Sequence, residues 1–389
     1  MGGVDYLVER GKIGRFLMQN FSSCKSLGVF QFTAVAPIRS TLGDRDHVLV
    51  LDIMTRAIHF LSPTFVRNTY LLGKILGFFS VHEAFSTLKM YLVTDMVKKS
   101  GLSWGIIEQK KVQEALKKGW METGGGIVEF KKIDKKNKTI IFSFGESIAA
   151  AARSRGTPLC YYFELAILCG QVEYLMGGKW DGTETKCVGR GDETCIFEIS
   201  KHKEDEQHPV LIMPKEEAEY VLDQYLEVTL TEEKDLKRSL KQDFGYMFLT
   251  QAFNYLFLSR SAGHVILMKY AGKAVGEKIA RAKGLKDIPA AAEYLMAWFE
   301  SLRMGLMEVE YCQEHLTVRL RESVFSAGVA NIGMRLCMYS AGIIEGCFSA
   351  ASGVKWTVEE DGCVASGDPC CTFVCATNDP EDLRKIVVR

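Results

Sequence analysis

Hydrophobic and polar positions along this chain follow two periods that come in a fixed order. The stretch "FNYLFLSRSAGHVILMKYAGKAVGEKIARAKG", from Phe253, carries apolar residues at helical spacing. "PAAAEYLMAWFESLRM" predicts a second helix. "GLMEVEYCQEHLTVRLRES" then alternates residue by residue and predicts a hairpin. "CMYSAGIIEGCFSAA" is rich in small residues and predicts a buried helix, while "VKWTVEEDGC" and "CTFVCAT" predict a strand pair around a cysteine loop. Helices segregated from antiparallel strands make an α+β domain.

The same order occurs earlier in the chain. "CVGRGDETC" (Cys187 to Cys195) returns as "CVASGDPCC" (Cys363 to Cys371). Each loop is preceded by a Lys-Trp pair (Lys179–Trp180, Lys355–Trp356), a glutamate (Glu184, Glu360) and a more distant cysteine (Cys160, Cys337). "IIFSFGES" parallels "TVRLRES" and sets Glu146 opposite Glu322, and "YLLGKILG" (from Tyr70) resembles "KYAGKAVG" (from Lys269). A duplication accounts for this, with an insertion in the first copy around residues 98–109. The expected organisation is an N-terminal extension (1–46) without counterpart in the other copy and a first domain (47–200). A charged linker with a broken connecting helix (201–245), a second domain (246–376) and a C-terminal tail (377–389) follow. "VFQFTAVAPI" in the extension reads as an added edge strand.

Composition narrows the function classes. Lys+Arg and Asp+Glu are equal at 48, so no global charge draws the chain to nucleic acid or an anionic membrane. The basic "KKIDKKNK" (Lys131 to Lys138) reads as a hairpin turn facing water. No long uncharged apolar run or signal-peptide pattern occurs, so a cytoplasmic protein is expected. No phosphate loop or dinucleotide fingerprint is found, because the glycines of "METGGGIVEF" lack the Lys-Ser/Thr that follows in such loops.

The 12 cysteines in a reducing compartment point to metal or redox chemistry. Cys160, Glu184, Cys187 and Cys195 recur in order as Cys337, Glu360, Cys363 and Cys371. Three thiolates and a carboxylate suit a closed tetrahedral zinc site, with Gly191-Asp192 and Gly367-Asp368 turning the loop. Three cysteines plus water is the variant, and unmetallated thiols in a duplicated core are the alternative. Filled at all four positions, such a site is structural rather than catalytic. Cys24, Cys169, Cys312 and Cys347 read as small hydrophobes, and Cys370 and Cys375 as spare strand thiols.

The cysteine-glutamate-cysteine-loop pattern after a small-residue helix resembles the 4-vinyl-reductase (V4R) domain family, in tandem over about 47–200 and 246–376. That resemblance implies a fold related to Bet3-like transport-particle subunits and to the sensory domains of phenol-responsive activators. It assigns zinc to the same eight residues. The tryptophan by which phenol sensors hold their ligand falls near Thr139 and Leu316 here, so phenol is not implied as ligand. The activators' ATPase and DNA-binding modules have no counterpart in this sequence, so signalling passes through a partner.

The expected function is therefore a zinc-containing sensor or carrier of a hydrophobic small molecule. Its pocket would lie between helices and sheet near Tyr162 and Trp180 in one copy and Tyr339 and Trp356 in the other. The alternatives are a reductase or reductase accessory for a hydrophobic or tetrapyrrole substrate, and an architectural docking subunit. Enzymatic activity is left open, with a non-enzyme favoured. An internal pseudo-dimer is expected, seamed by Gly73–Gly77 and Gly272–Gly276, with homo-oligomerisation open.

Overall fold

The computed structural model describes residues 37–86, 103–151, 158–201, 213–231, 243–312 and 315–377, with a few single positions between them. The expected edge strand at 29–38 and the charged start of the linker lie almost wholly outside the described residues. In chain order the principal elements are helices α1 (Leu49–Leu61), α2 (Val66–Ser86) and α3 (Lys110–Glu122), then strands β1 (Ile127–Asp134) and β2 (Thr139–Gly145). Helix α4 (Glu164–Met176) precedes β3 (Trp180–Lys186) and β4 (Cys195–Lys201). Helices α5 (Lys215–Leu230), α6 (Phe248–Leu258), α7 (Ala262–Lys283) and α8 (Ile288–Ser301) follow. The chain then forms β5 (Leu306–Tyr311), β6 (Leu316–Arg321), α9 (Met338–Ser352), β7 (Trp356–Gly362) and β8 (Cys371–Thr377). Of the expected insertion, residues 103–109 are described and hold one short helix, Ser103–Ile107.

Two compact units result. One holds Ser62–Gln224 and Asp235–Tyr246; the other holds residues 37–61, Tyr225–Lys234 and the chain from Met247. Each has a four-stranded antiparallel sheet, in the order β1-β2-β4-β3 in the first and β5-β6-β8-β7 in the second. The period-two pattern fixes which face is buried. Ile140, Phe142 and Phe144 of β2 and Cys195, Phe197 and Ile199 of β4 are fully buried, as are Leu316, Val318 and Leu320 of β6 and Cys371, Phe373 and Cys375 of β8. The long helical reading from Phe253 is split at Ser259–Ser261, where α6 ends and α7 begins. Asp287 caps α8 by accepting from the Ala290 amide at 2.8 Å, and Pro289 stands in its first turn.

The expected boundary ahead of the first repeat is corrected. Helix α1 belongs to the second unit, where it packs along α7 and Lys278 lies 5.5 Å over the Phe60 ring. The described end of the extension, around residues 39–42, also has a counterpart. In the second unit the Glu322 carboxylate accepts from the Thr41 amide (2.9 Å), the Leu42 amide (2.7 Å) and the Ser40 hydroxyl (2.9 Å). Arg39 donates to the Arg303 and Glu322 carbonyls at 2.6 and 3.2 Å. In the first unit Glu146 accepts from the Ser239 amide (2.7 Å) and hydroxyl (2.9 Å), while Arg238 donates to the Gly124 carbonyl at 2.9 Å. Both glutamates sit at positive φ (57° and 53°), a conformation that costs an ordinary residue about 1–3 kcal/mol and is sustained here by the docked arm.

The glycine pairs face neither a seam nor the sheet. A Cβ on Gly77 would fall on the Ile167 carbonyl of α4, and one on Gly276 on the Ile343 carbonyl of α9. The facing helices answer with their own small residues: a Cβ on Gly170 would strike Lys74, and one on Gly346 would strike Lys273. Each repeat is thus held by a backbone-to-backbone helix crossing inside its own unit. The reason given for a pseudo-dimer seam at these glycines no longer holds. Gly346→Ala is expected to destabilise the second unit by about 1–3 kcal/mol or more, since the obstructing atoms are backbone. Gly263→Ala, where the nearest atom is the Ser261 hydroxyl at 3.6 Å, should instead gain up to about 1 kcal/mol from helix propensity. Chemical denaturation of both variants checks the contrast; equal effects would refute the crossing.

Asp46 is buried and accepts from the Thr250 hydroxyl at 2.7 Å. Burial pushes its carboxyl up to about 6, against the opposing pull of Thr250 and Arg39. A raised carboxyl binds protons more readily folded than unfolded. Stability should therefore fall as pH climbs from near 3.8 to about 6, and the loss should persist above that window. Asp46→Asn should remove this slope in melts recorded from pH 4 to 7; an unchanged slope would assign it elsewhere.

Candidate metal centres

Each unit brings a helix start, a strand end and a tight loop to one buried point. Cys160 stands four residues before α4, and Cys337 is the residue before α9. Glu184 and Glu360 lie in β3 and β7, each four residues after a buried tryptophan (Trp180, Trp356), so strand alternation puts them on the buried face. Cys187 and Cys363 directly follow those strands, and Cys195 and Cys371 open β4 and β8. All eight residues are buried, and within each set the donor atoms lie within 4.8 Å of one another. The sequence-predicted sets thus assemble with no member missing.

The glycine and aspartate between the loop cysteines have separate jobs. Gly191 and Gly367 take φ of 101° and 98°, which a side chain would oppose. Asp192 and Asp368 accept from the Cys187 and Cys363 amides, each at 2.8 Å. That closes the turn and aims the loop sulfurs inward.

The donors form dense contacts. The Cys160 and Cys195 sulfurs are 3.5 Å apart; Cys371 is 3.3 Å from Cys337 and 3.9 Å from Cys363. Amides of Leu159 and Val188 point at the Cys187 and Cys195 sulfurs (3.5 and 3.4 Å), and Leu336 points at Cys363 (3.4 Å). The Cys160 amide donates to Glu184 at 3.1 Å and the Cys337 amide to Glu360 at 3.0 Å. Hydroxyls add a layer that the sequence reading missed: Ser147 lies 3.0 Å from Cys160, Ser323 3.2 Å from Cys337 and Ser326 3.1 Å from Cys371. For Ser147 and Ser323 the sequence signal is the repeated Glu-Ser pair (Glu146-Ser147, Glu322-Ser323); Ser326 has none.

The electrostatics suit a cation. Burial, then the neighbouring sulfur, pushes the carboxyls of Glu184 and Glu360 up to about 9, and burial drives the Cys160 and Cys337 thiols well above their ordinary range. Hydrogen bonds from the neighbouring thiols pull Cys187 down and Cys371 to about 4, so without a counter-charge each cluster keeps one thiolate while its glutamate and its first cysteine stay protonated at neutral pH. Glu184 Oε1 is buried and meets no hydrogen-bond partner, as a metal-directed oxygen would. These two buried clusters could hold metal ions.

The four residues expected near a pocket, Tyr162, Trp180, Tyr339 and Trp356, are all buried. Trp180 donates from its ring nitrogen to the Gly177 carbonyl, and Trp356 to the Ser352 hydroxyl, both at 3.0 Å. Both tryptophans are therefore staples between a strand and the end of the preceding helix. Tyr162 and Tyr339 are buried at the starts of α4 and α9. Cys375, expected as an exposed spare thiol, is fully buried, and burial pushes its pKa to about 12, which removes it from thiolate chemistry. Cys370 is half-buried; Cys169 and Cys347 are core residues as expected, and Cys24 lies outside the described residues.

A duplicated α+β chain with a buried three-cysteine, one-glutamate cluster at each helix-to-hairpin junction defines a recognisable class. The V4R domain model matches residues 140–201 and 316–377, each running from the central strand through the cysteine loop to the last strand. The chain thus carries two regions that match the V4R domain, one in each copy. It is 36% identical over 72 residues to an uncharacterized protein of Methanocaldococcus jannaschii; the match covers 18% of this chain and 40% of that relative's length. A vinyl-4-reductase family protein from the same organism matches in structure at 18% identity and a TM-score of 0.24, over 34% of this chain and 78% of its own. The phenol-responsive sensory domain of the transcription activator PoxR, with phenol, matches at 16% identity and a TM-score of 0.28, over 45% and 80%.

Proposed function

We propose that this protein binds a small, largely apolar molecule and passes that state to a partner protein, as a sensor or carrier, with structural zinc in both clusters. The observation that carries the ligand reading is Tyr339. Its phenol ring is buried and packs edge-on to Phe325 at 5.9 Å, and its hydroxyl has no hydrogen-bond partner. Leaving such a group unpaired costs about 1–3 kcal/mol. Trp298 of α8 adds a second buried, unpartnered donor in the same unit. An interior that is apolar with a few unsatisfied polar groups is the usual composition of a small-molecule site.

Zinc is supported by the donor chemistry. Three sulfurs and one carboxylate are a zinc-type set, and the sulfur separations of 3.3–3.9 Å bracket the ~3.8 Å edge of a tetrahedron built on ~2.3 Å bonds. A set that fills all four positions supports a structural ion and speaks against an enzyme reading. Among the described residues no helix is long and apolar enough to cross a membrane, and a cytoplasmic setting, in which the thiols stay reduced, is part of this proposal. The duplication itself is the remaining support for an internal pseudo-dimer.

Native mass spectrometry of the purified chain, before and after denaturation, tests the ligand reading. The expected result is a small organic molecule released on unfolding, or retained binding of an uncharged aromatic probe. A chain that carries zinc alone and binds no such probe would overturn it and leave the docking-subunit alternative.

A further inference from the structure

We infer that the two cysteine-glutamate centres are unequal: the first, built around Cys160, is an exchangeable site for a zinc-type divalent cation, while the second, built around Cys337, retains its ion. This rests on the zinc reading above and adds what sets retention at each centre. The donors themselves do not differ, since both sets are three cysteines and a glutamate, all buried. Their amide contacts match as well. Leu159 and Leu336 point at the Cys187 and Cys363 sulfurs at 3.5 and 3.4 Å, and Val188 and Val364 at those of Cys195 and Cys371. What differs is the layer of oxygen atoms behind the sulfurs.

In the second unit two buried hydroxyls stand behind the sulfurs. Ser323 lies 3.2 Å from Cys337 and Ser326 3.1 Å from Cys371. Ser326 is also 3.6 Å from Cys337, so whichever sulfur it serves belongs to the centre. A metal-bound thiolate has no hydrogen, so each hydroxyl must be the donor. Such bonds draw charge off sulfur and fix the ligand's orientation, and losing one typically costs about 10–100-fold in metal affinity. In the first unit, matching Glu146-Ser147 to Glu322-Ser323 puts Ala150 at the position of Ser326, and its side chain has nothing to donate to Cys195. The remaining hydroxyl is contested. Ser147 lies 3.0 Å from the Cys160 sulfur and 3.5 Å from Glu164 Oε1, and it has a single hydrogen for the two. Glu164 is buried in the first turn of α4, whereas the first turn of α9 carries no acid. The first centre thus has one shared hydroxyl behind its sulfurs, and the second has two of its own.

The test starts from the full chain loaded with zinc, its metal content measured by elemental analysis. Excess EDTA is added and zinc loss is followed in time, while iodoacetamide labelling and peptide mass spectrometry assign each loss to its cysteines. Two phases are expected, at least about ten-fold apart in rate, the faster exposing Cys160, Cys187 and Cys195 and the slower Cys337, Cys363 and Cys371. Ser326→Ala should speed the slow phase by about ten-fold and leave the fast phase alone. Ala150→Ser should slow the fast phase, a change that loosened packing would not produce, and it keeps the test valid if Ser326→Ala folds poorly. In the cobalt-loaded chain Ser326→Ala should also move the sulfur-to-metal charge-transfer absorption to lower energy, because a hydrogen bond lowers the sulfur donor level. One rate for both sets, faster loss from the second set, or rates and absorption that ignore the substitutions overturns the inequality and leaves the zinc reading standing. A chain that takes up less than half an equivalent of zinc brings down the zinc reading and the inequality together.

Discussion

Removal of metal, or Cys363→Ser, is expected to lower stability by several kcal/mol. Binding to a site that exists only in the folded chain is folding free energy, and structural zinc sites in small peptides are worth about 10–16 kcal/mol at neutral pH. Cys363 directly follows β7, sits in the turn closed by Asp368 and faces Cys371 at 3.9 Å, so its loss breaks the pin between hairpin and α9. For a unit of this size, a loss of about 5 kcal/mol lowers the midpoint by roughly 10–20 °C. Elemental analysis of protein purified without added metal should find about two zinc ions per chain, one per cluster. Binding should also depend on pH in a definite direction. The Glu184 and Glu360 carboxyls rise to about 9 without a counter-charge, and the thiols must also give up protons. Metal entry therefore releases protons, and acidification should release metal. Titration in two buffers of different ionisation enthalpy would count those protons. Less than half an equivalent of zinc with all thiols reactive, or a Cys363→Ser melt that matches wild type, would refute this account.

Lys74→Met should cost the first unit about 3–5 kcal/mol. Lys74 of α2 donates to Glu173 of α4 at 2.7 Å, to Asp181 of β3 at 2.9 Å and to the Trp180 carbonyl at 2.8 Å, and its side chain is only 9% exposed. The Tyr70 hydroxyl donates to the same aspartate at 2.9 Å. Burial by itself would pull Lys74 down, but Glu173 and Asp181 hold it above its ordinary value. A raised lysine contributes fully below about 10.5 and loses its contribution only as pH rises through the folded value, so the pair is constant across neutral pH. Removing the ammonium leaves two carboxylates in the interior, which explains the size of the effect. The second unit is the control. There Lys269 and Lys273 share Glu345 at 3.1 and 2.9 Å, but their side chains are 28% and 23% exposed, and either can serve if the other is lost. Lys273→Met should be much milder. Neutralising the partners with Glu173→Gln and Asp181→Asn should recover part of the Lys74→Met loss. If denaturation finds the two lysine variants equally mild, the buried cluster is not what joins α2, α4 and β3.

The sequence by itself determined the two repeats, their strand and helix order and both cysteine-glutamate sets. These signals are local or duplicated. Alternation decides a strand's buried face from neighbours two positions apart, and a ligand set repeated at constant spacing marks itself. Tertiary structure alone decided what distant partners meet. Glu146 and Glu322 were legible as matching positions, but their role depends on arms 93 and 281 residues away. The glycine spacing announced a close helix crossing without naming the facing helix; α4 and α9 supply their own small residues, and a seam between copies would have left the same trace in sequence. Helix α1 precedes the first repeat but packs in the second unit, because burial depends on the surface the chain reaches after folding and not on its nearest neighbour in sequence. Trp180 and Trp356 were legible as matching aromatics, but the carbonyl and the hydroxyl that hold their ring nitrogens belong to the packed structure. The Ser326 hydroxyl had no sequence signal either: the sulfur it meets, that of Cys371, is 45 residues away, and which buried polar groups find each other is a property of the packed interior alone.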